Sequence, residues 1–249
     1  MFRSILIFSI VLLLTVLSAA ELPADVLKCK KTDTDCQKES LHQTLQKHPD
    51  GYGPLNLIRI EPLTIKSLHL PKVAGSPVGI ELNFKDIKML GISGANIHKV
   101  SGVKEKGQNV LYEIECDFPQ IIIDGPYSVD GQVLVLPIVG EGNSKIIFDN
   151  VDSKIKGKAS LVEKDGKKYL NVDKVHLDLQ PKKATFAFEN LFKGDKTLGD
   201  NMNKFLNENW AEVYKELKPV IMEAMGKILI HICNGVFSKI EYSEMFLTE

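Results

Sequence analysis

The 249-residue sequence lacks the short motifs that carry most enzyme chemistry. No HExxH, G-x-S-x-G, P-loop or GxGxxG pattern occurs, and the six histidines are scattered without the spacing of metal ligands. No nucleophile, base and orienting group can be assembled from the sequence. We therefore expect a protein that is not an enzyme and that needs neither a metal nor a cofactor.

An excess of charge of one sign is absent too. Lys and Arg number 31 against 32 Asp and Glu, and no basic cluster stands out. Nucleic acids and anionic membranes attract strongly basic surfaces, so neither is an expected partner. The chain also lacks Pro/Gly/Ser-rich linkers, low-complexity tracts and repeats, and its length fits one large domain or two.

A long hydrophobic run stands out only at the N-terminus. Arg3 precedes an apolar stretch over residues 5–17, and Ser18-Ala19-Ala20 follows, which is the pattern of a secretory signal peptide. The stretch is too short to span a bilayer comfortably, and we find no second apolar segment of spanning length. We expect residues 1–20 to be removed, leaving a secreted chain of net charge −2 without stable membrane insertion.

Cysteine is scarce, with four residues. In an oxidising compartment closely spaced cysteines tend to pair, which predicts a disulfide between Cys29 and Cys36 beside a first helix over residues 33–47. Such a bridge would add roughly 2–3 kcal/mol of stability through loop entropy. Cys116 and Cys233 are either buried thiols, which we favour, or a staple between a strand and the last helix.

The middle of the chain, residues 62–192, alternates apolar and polar residues in runs such as 80–85, 110–118 and 155–161. This period of two predicts strands with one buried and one wet face. Three turn dipeptides fall between the runs: Lys106-Gly107, Asp130-Gly131 and Asp165-Gly166. The two Asp-Gly pairs are strong hairpin signals. The pattern predicts a meander of long antiparallel strands and argues against a Rossmann or TIM architecture.

A second helix is predicted over residues 198–235. A capping-box-like sequence at 197–200 would start it, and Asn234-Gly235 would stop it. It would be about 50 Å long, with a kink near its middle at Pro219. Its apolar residues recur about every 3.8 positions instead of 3.6, so the stripe winds around the helix. A winding stripe suits a helix around which a curved sheet rolls.

Three stretches carry a resemblance to a known family. They are GPLNLIRIEPLTIKSLHL (Gly53–Leu70), FPQIIIDGPYSVDGQVLVLPIVGEGNSKIIFDNV (Phe118–Val151) and ENLFKGDKTLGDNMNKFLNENWAEVYKELKPVIMEAM (Glu189–Met225). With the signal peptide and the Cys29/Cys36 pair, the sequence resembles the takeout and juvenile hormone binding protein family of insects, closer to the takeout branch. The similarity covers nearly all of the mature chain, which implies a single domain over residues 21–249.

The resemblance implies an α+β fold, in which a highly curved antiparallel sheet wraps a long C-terminal helix and a short helix lies at the N-terminus. This is the tubular lipid-binding, or super-roll, architecture. It further implies a monomeric carrier in haemolymph or another extracellular fluid, with a tunnel for a terpenoid, fatty acyl or quinone ligand. Takeout-like proteins are associated with circadian, feeding and courtship regulation. Cys116 and Cys233 do not match the second disulfide of the hormone carriers, and no tyrosine matches the one that holds the hormone's epoxide.

Candidate ligand contacts come from the inward strand positions and the helix stripe. They are Phe84, Ile114, Phe118, Tyr127, Leu134, Leu136, Phe186, Phe188, Met202, Phe205, Leu206, Trp210, Val213, Leu217, Met225 and Leu229. We expect about half of them to line the tunnel and the others to pack as core. Tyr127 and Tyr112 are candidates to orient a polar ligand head, because a buried tyrosine packs its ring and offers its hydroxyl.

A different function fits the same stripe. A row of methionine and aromatic side chains also suits a fully packed core without any tunnel. The protein would then be an extracellular signalling or interaction protein that acts through a receptor, with no essential ligand.

Overall fold

The computed structural model describes residues 22–101 and 103–248. The predicted signal peptide, residues 1–20, lies outside this part. The helices and strands follow the order α1 (Thr34–Lys47), β1 (Leu63–Leu70), β2 (Val78–Leu90), β3 (Asn96–Val100), β4 (Lys104–Lys106), β5 (Asn109–Val133), β6 (Leu136–Lys164), β7 (Lys167–Phe188), α2 (Lys196–Glu208) and α3 (Trp210–Phe237). Short 3₁₀ helices lie at Gly53–Leu55, Ile92–Gly94, Phe192–Gly194 and Tyr242–Glu244.

Within the described residues the strands form one antiparallel sheet of order β1-β2-β5-β6-β7, and β3 and β4 pair with β5. Strands β5, β6 and β7 have 25, 29 and 22 residues, several times the usual strand length. Strands of this length coil because the twist of a sheet accumulates along them. The sheet does not close on itself, and α3 contacts both β7 and β1, the two strands at its edges. The predicted α+β fold, a curved antiparallel sheet around C-terminal helices, is confirmed.

A crease crosses the three long strands at one level. On β5 the inward side chains change from even-numbered to odd-numbered positions at Pro119, and on β6 the same change falls at Asn150. Neither Pro119 nor Asn150 has a cross-strand partner in the β5–β6 pairing, and Asn150 has a φ of 49°. On β7 the pairing passes over Lys182. Such irregularities bend a strand and increase its twist, so the crease helps the sheet to roll.

Two of the three predicted turns are present. Asp165-Gly166 joins β6 to β7 with both φ angles positive, at 52° and 73°, and Gly107 (φ 64°) lies in the turn before β5. The prediction of a hairpin turn at Asp130-Gly131 was wrong, because this dipeptide lies inside β5. A Cβ at Gly131 would be only 2.2 Å from the Gly79 carbonyl oxygen, so glycine serves close strand approach there. The actual turn is Leu134-Val135.

The predicted single helix over residues 198–235 is two helices, and the break lies at Asn209 instead of Pro219. Asn209 leaves helical geometry (φ −110°, ψ 23°), and its side-chain Nδ2 donates to the Phe205 carbonyl at 2.8 Å. This local bond competes with helix continuation. The start was also mispredicted, because the N-cap is Asp195, whose carboxylate accepts from Leu198 N–H at 3.0 Å. The helix then passes Asn234-Gly235 and ends at Phe237.

Asparagine side chains of α2 and α3 satisfy the outer edge of β7. Asn207 accepts from Phe186 N–H and donates to Phe186 C=O, both at 2.8 Å. Asn203 makes the same pair of bonds with Phe188, and Asn234 makes it with Val172. Each side-chain amide thus replaces the peptide group of a missing neighbouring strand. These bonds fix the register between the helices and the sheet.

The predicted Cys29–Cys36 disulfide is confirmed, and the two other cysteines are unpaired, but only one of them is fully buried as expected. The disulfide joins Cys29, in the segment before α1, to Cys36 in the first turn of α1. Cys116 and Cys233 are free thiols, the first buried and the second half-buried. Burial raises the pKa of each of these two thiols to about 11, so both stay protonated and unreactive at neutral pH.

Candidate ligand-binding cavity

A cavity of about 420 Å³ lies between the sheet and the C-terminal helices. Inward side chains of β1, β2, β5, β6 and β7 form one side, and α3 with the end of α2 forms the other. Residues of α1 and of the segment 55–60 cover part of the wall. This volume falls within the range of roughly 300–1,000 Å³ that is typical of small-molecule sites.

The wall is almost entirely hydrocarbon. Leucine, isoleucine, valine, phenylalanine and methionine side chains make up nearly all of it. The polar side chains among the described lining residues are Thr44, Ser153, Tyr214 and Cys233, and no charged residue is among them. Such a surface gains free energy by exchanging water for an apolar ligand, and it offers no group for acid–base chemistry.

Helix α3 supplies the longest continuous part of the wall, with side chains from Val213 to Phe237. Few of its residues are fully buried, because those that face the hollow lack packing partners on that side. By length and composition alone, α3 could also cross a membrane, contrary to our expectation that no second segment reaches spanning length. The core helices of soluble proteins also satisfy these length and composition criteria.

Nine of the sixteen ligand-contact candidates lie on the cavity wall. They are Phe84, Phe118, Phe186, Phe188, Leu206, Val213, Leu217, Met225 and Leu229. They come from three strands and both C-terminal helices, so the fold brings together residues that are up to 145 positions apart in the sequence. Their role as ligand contacts stays a prediction.

The other seven candidates are not among the wall residues, for three physical reasons. Met202, Phe205 and Trp210 pack on the adjacent core from α2 and the start of α3. Leu134 lies in the β5–β6 turn, and Leu136 directly follows that turn and is 38% exposed. Ile114 is half-buried opposite Ile155, and Tyr127 is buried in the core.

Neither tyrosine that was considered for the ligand head faces the cavity. Tyr127 donates its hydroxyl to the Glu189 carbonyl at 2.7 Å and packs its ring on Phe188, with centroids 4.7 Å apart. Burial raises the Tyr127 pKa to about 12, so the hydroxyl keeps its proton. The Tyr112 ring covers Gly157 on the neighbouring strand, and its buried hydroxyl has no hydrogen-bond partner among the described residues.

Sequence reasoning missed a large part of the wall. The missed residues from β1, β2 and the N-terminal segment include Leu41, Leu45, Leu55, Leu57, Ile60, Leu63, Leu68, Leu70, Ile80 and Leu82. Alternation marked the β2 residues, and the i,i+4 spacing of Leu41 and Leu45 marked one face of α1. Ser153 was also missed, although it is the single polar residue in an inward row with Val151 and Ile155.

A deep apolar hollow between a rolled sheet and a long helix defines a protein that binds hydrophobic ligands. The family-level comparison agrees, because the profile of the haemolymph juvenile hormone binding protein (JHBP) family matches residues 7–247. The chain belongs to this family, whose members are binding proteins rather than enzymes.

Individual relatives are distant in sequence but similar over most of their length. The circadian clock-controlled protein daywake of Drosophila melanogaster is 26% identical over 231 residues, which is 91% of this chain and 89% of that protein. A Schistocerca gregaria protein, described provisionally as beta-carotene-binding, is 21% identical over 84% of this chain and 82% of its own. The crystal structure of Epiphyas postvittana Takeout 1 has a TM-score of 0.77 and 25% identity, covering 90% of this chain and all of that one.

Proposed function

We propose that this protein is a secreted, monomeric, non-enzymatic carrier that holds one hydrophobic small molecule in the cavity between the sheet and α3. The observation that carries the proposal is the cavity itself, about 420 Å³ of hydrocarbon-lined space without a charged side chain among the described lining residues. In this proposal residues 1–20 are the signal peptide and residues 21–249 form the single binding domain. Helix α3 is then a cavity wall and not a membrane span.

The magnitudes favour a ligand that is mostly hydrocarbon. A chain of about fifteen carbons gains roughly 12 kcal/mol on leaving water, at about 0.8 kcal/mol per methylene. Association and ordering cost on the order of 4–15 kcal/mol, so useful affinity requires a site that is already formed. The paired edge of β7 and the continuous α3 supply that rigidity. Terpenoids, fatty acyl compounds and quinones are all ligands that consist mostly of hydrocarbon.

The biological setting belongs to the proposal as well. Similarity to a protein named for circadian clock control supports a role in rhythmic behaviour. The proposal extends this role to the regulation of feeding or courtship. Similarity to a protein described as beta-carotene-binding supports an apolar cargo. Transcript levels followed over a light–dark cycle would test the first point, and a flat profile would count against it.

The direct test is recovery of the cargo. Protein purified from its natural fluid should release an apolar compound on solvent extraction, and native mass spectrometry should show one such compound per chain. A protein that neither yields nor takes up any apolar compound would leave the receptor-acting alternative as the better explanation.

A matched pair of variants on α3 tests where the ligand binds. Met225→Trp places a large ring into the cavity, whereas Lys227→Trp adds the same ring two residues away on the exposed surface. We expect Met225→Trp to weaken displacement of the fluorescent probe N-phenyl-1-naphthylamine by an apolar ligand at least about tenfold, with little change for Lys227→Trp. Equal affinities in the two variants would place the ligand elsewhere.

A further inference from the structure

Ser153 interrupts the hydrocarbon wall of the cavity. It lies on β6 between the wall residues Val151 and Ile155, and it is only 6% exposed. Its cross-strand neighbours are Cys116 on β5 and Leu179 on β7. A hydroxyl at this position is costly, because a buried polar group without a partner loses its bonds to water.

The hydroxyl of Ser153 has no hydrogen-bond partner among the described residues. The Ser153 hydroxyl is near the Cys116 thiol and opposes the rise of the Cys116 pKa. The distance and angles between the two groups nevertheless do not meet the geometry of a hydrogen bond. A thiol is in any case a weak partner. The strand register through Ser153 is regular on both sides, so the hydroxyl is not needed to complete a backbone ladder.

The other hydroxyls of the wall are already bonded. Thr44 donates to the Ser40 carbonyl at 2.7 Å, and Tyr214 donates to the Leu179 carbonyl at 2.8 Å. Among the described wall residues, Ser153 is therefore the one whose hydroxyl has no hydrogen-bond partner.

We propose that Ser153 is the polar anchor of the cavity and that it selects ligands with a neutral oxygen atom, such as a ketone, ester or alcohol, on a hydrocarbon skeleton. This inference rests on the proposed carrier function and narrows its ligand class. A ligand carbonyl would accept a hydrogen bond from the Ser153 hydroxyl, and a ligand hydroxyl would donate one to the same oxygen. In both cases the bond satisfies a protein group that is otherwise unpaired, so a pure hydrocarbon of equal size binds more weakly.

The same wall disfavours charged head groups. A carboxylate buried at Ser153 would meet no lysine, arginine or histidine among the described lining residues. Burying an uncompensated charge costs far more than one hydrogen bond returns. The anchor thus separates neutral oxygenated lipids from the ionised fatty acids of the same length.

The test uses three probes of matched size: tridecan-2-one, tridecane and dodecanoate. Each displaces N-phenyl-1-naphthylamine from the delipidated full-length mature protein, from Ser153→Ala and from Ser144→Ala. Ser144 is the matched control, because it is a buried serine of β6 whose hydroxyl donates to the Gly125 carbonyl at 3.0 Å and which is not a wall residue.

In the unmodified protein we expect the ketone to bind more tightly than the alkane, and dodecanoate to bind most weakly at neutral pH. Ser153→Ala should weaken ketone binding about fivefold, the factor for a net hydrogen bond of about 1 kcal/mol, and leave tridecane unchanged. Ser144→Ala should leave the ketone-to-alkane ratio unchanged. Ser153→Cys, which keeps the shape with a weaker donor, should lose part of the preference.

Folding of the variants is checked by thermal unfolding without ligand. Ser153→Ala should unfold at the same or a higher temperature, because it removes an unpaired buried hydroxyl, whereas Ser144→Ala should unfold at a lower one. An unchanged ketone-to-alkane ratio in folded Ser153→Ala would overturn the anchor but leave the carrier function intact. Failure of all three probes to bind the unmodified protein would instead overturn the carrier function.

Discussion

At the scale of single residues, three asparagines hold the C-terminal helices to the sheet. Each side-chain amide forms two bonds with one residue of β7, and each has both a donor and an acceptor placed for the task. A hydrophobic side chain in the same place would leave two backbone groups unpaired. Unsatisfied groups of this kind cost about 1–3 kcal/mol each when buried.

Replacement of Asn207 tests this arrangement. We expect Asn207→Ala to lower the free energy of unfolding by about 2 kcal/mol, because Phe186 N–H and C=O lose their partner. Asn201→Ala on the same helix is the control, since Asn201 is exposed and its replacement should change stability by less than about 0.5 kcal/mol. Denaturant unfolding measures both, and equal losses would show that the amide pair contributes nothing specific.

The residue scale is also where sequence reasoning reached its limit at the site. Alternation identified the inward faces of the strands, and it correctly placed Phe84, Phe118 and Phe186 toward the interior. It could not locate the crease at Pro119 and Asn150, where the inward positions change parity. Whether an inward side chain borders the hollow or packs as core depends on the coiling of strands far apart in sequence, which periodicity does not record.

At the scale of elements, local chemistry predicted some boundaries well and others poorly. Asp165-Gly166 is the β6–β7 turn because its residues tolerate positive φ. The β5–β6 turn consists of Leu134, at a φ of 55°, and Val135, which is 88% exposed. Because leucine and valine are not typical turn residues, the sequence gives no signal for this turn. The helix break at Asn209 depends on a side-chain bond to Phe205, whereas Pro219 is accommodated inside α3.

We expect helix α1 to depend on the disulfide more than on burial. None of its residues is fully buried, although Leu41 and Leu45 border the cavity. Loop entropy assigns the Cys29–Cys36 bridge a contribution of about 2–3 kcal/mol. We expect the double variant Cys29→Ser/Cys36→Ser to speed amide hydrogen exchange in α1 while exchange in the middle of β6 stays unchanged.

The internal comparison between α1 and β6 separates local from global effects. If exchange accelerated equally in both elements, the bridge would stabilise the whole fold and not the N-terminal helix. If neither element changed, the contacts between α1 and β3 would suffice to hold the helix.

At the scale of the whole molecule, the interior is a cavity as well as a core. A ligand that binds only the folded state should stabilise it by about 2.7 kcal/mol at a free concentration 100 times its Kd. For a chain of this size that corresponds to an increase in Tm of roughly 5–10 °C. Calorimetry of delipidated protein with and without tridecan-2-one measures the shift.

The Met225→Trp variant is the control for this stabilisation. Its Tm should rise with ligand concentration as it does in the unmodified protein only if the ligand binds outside the cavity. A ligand that displaces the fluorescent probe but leaves Tm unchanged would contradict binding to the folded state alone.

The asparagine-paired edge of β7 also bears on colloidal behaviour. Free strand edges are templates on which a second chain can add and begin fibre growth. At Val172, Phe186 and Phe188 the outward N–H and C=O groups are already bonded to side chains of the same molecule. An incoming strand finds no vacant donor or acceptor at those three positions, so the helices that line the cavity also protect this part of the sheet edge from polymerisation.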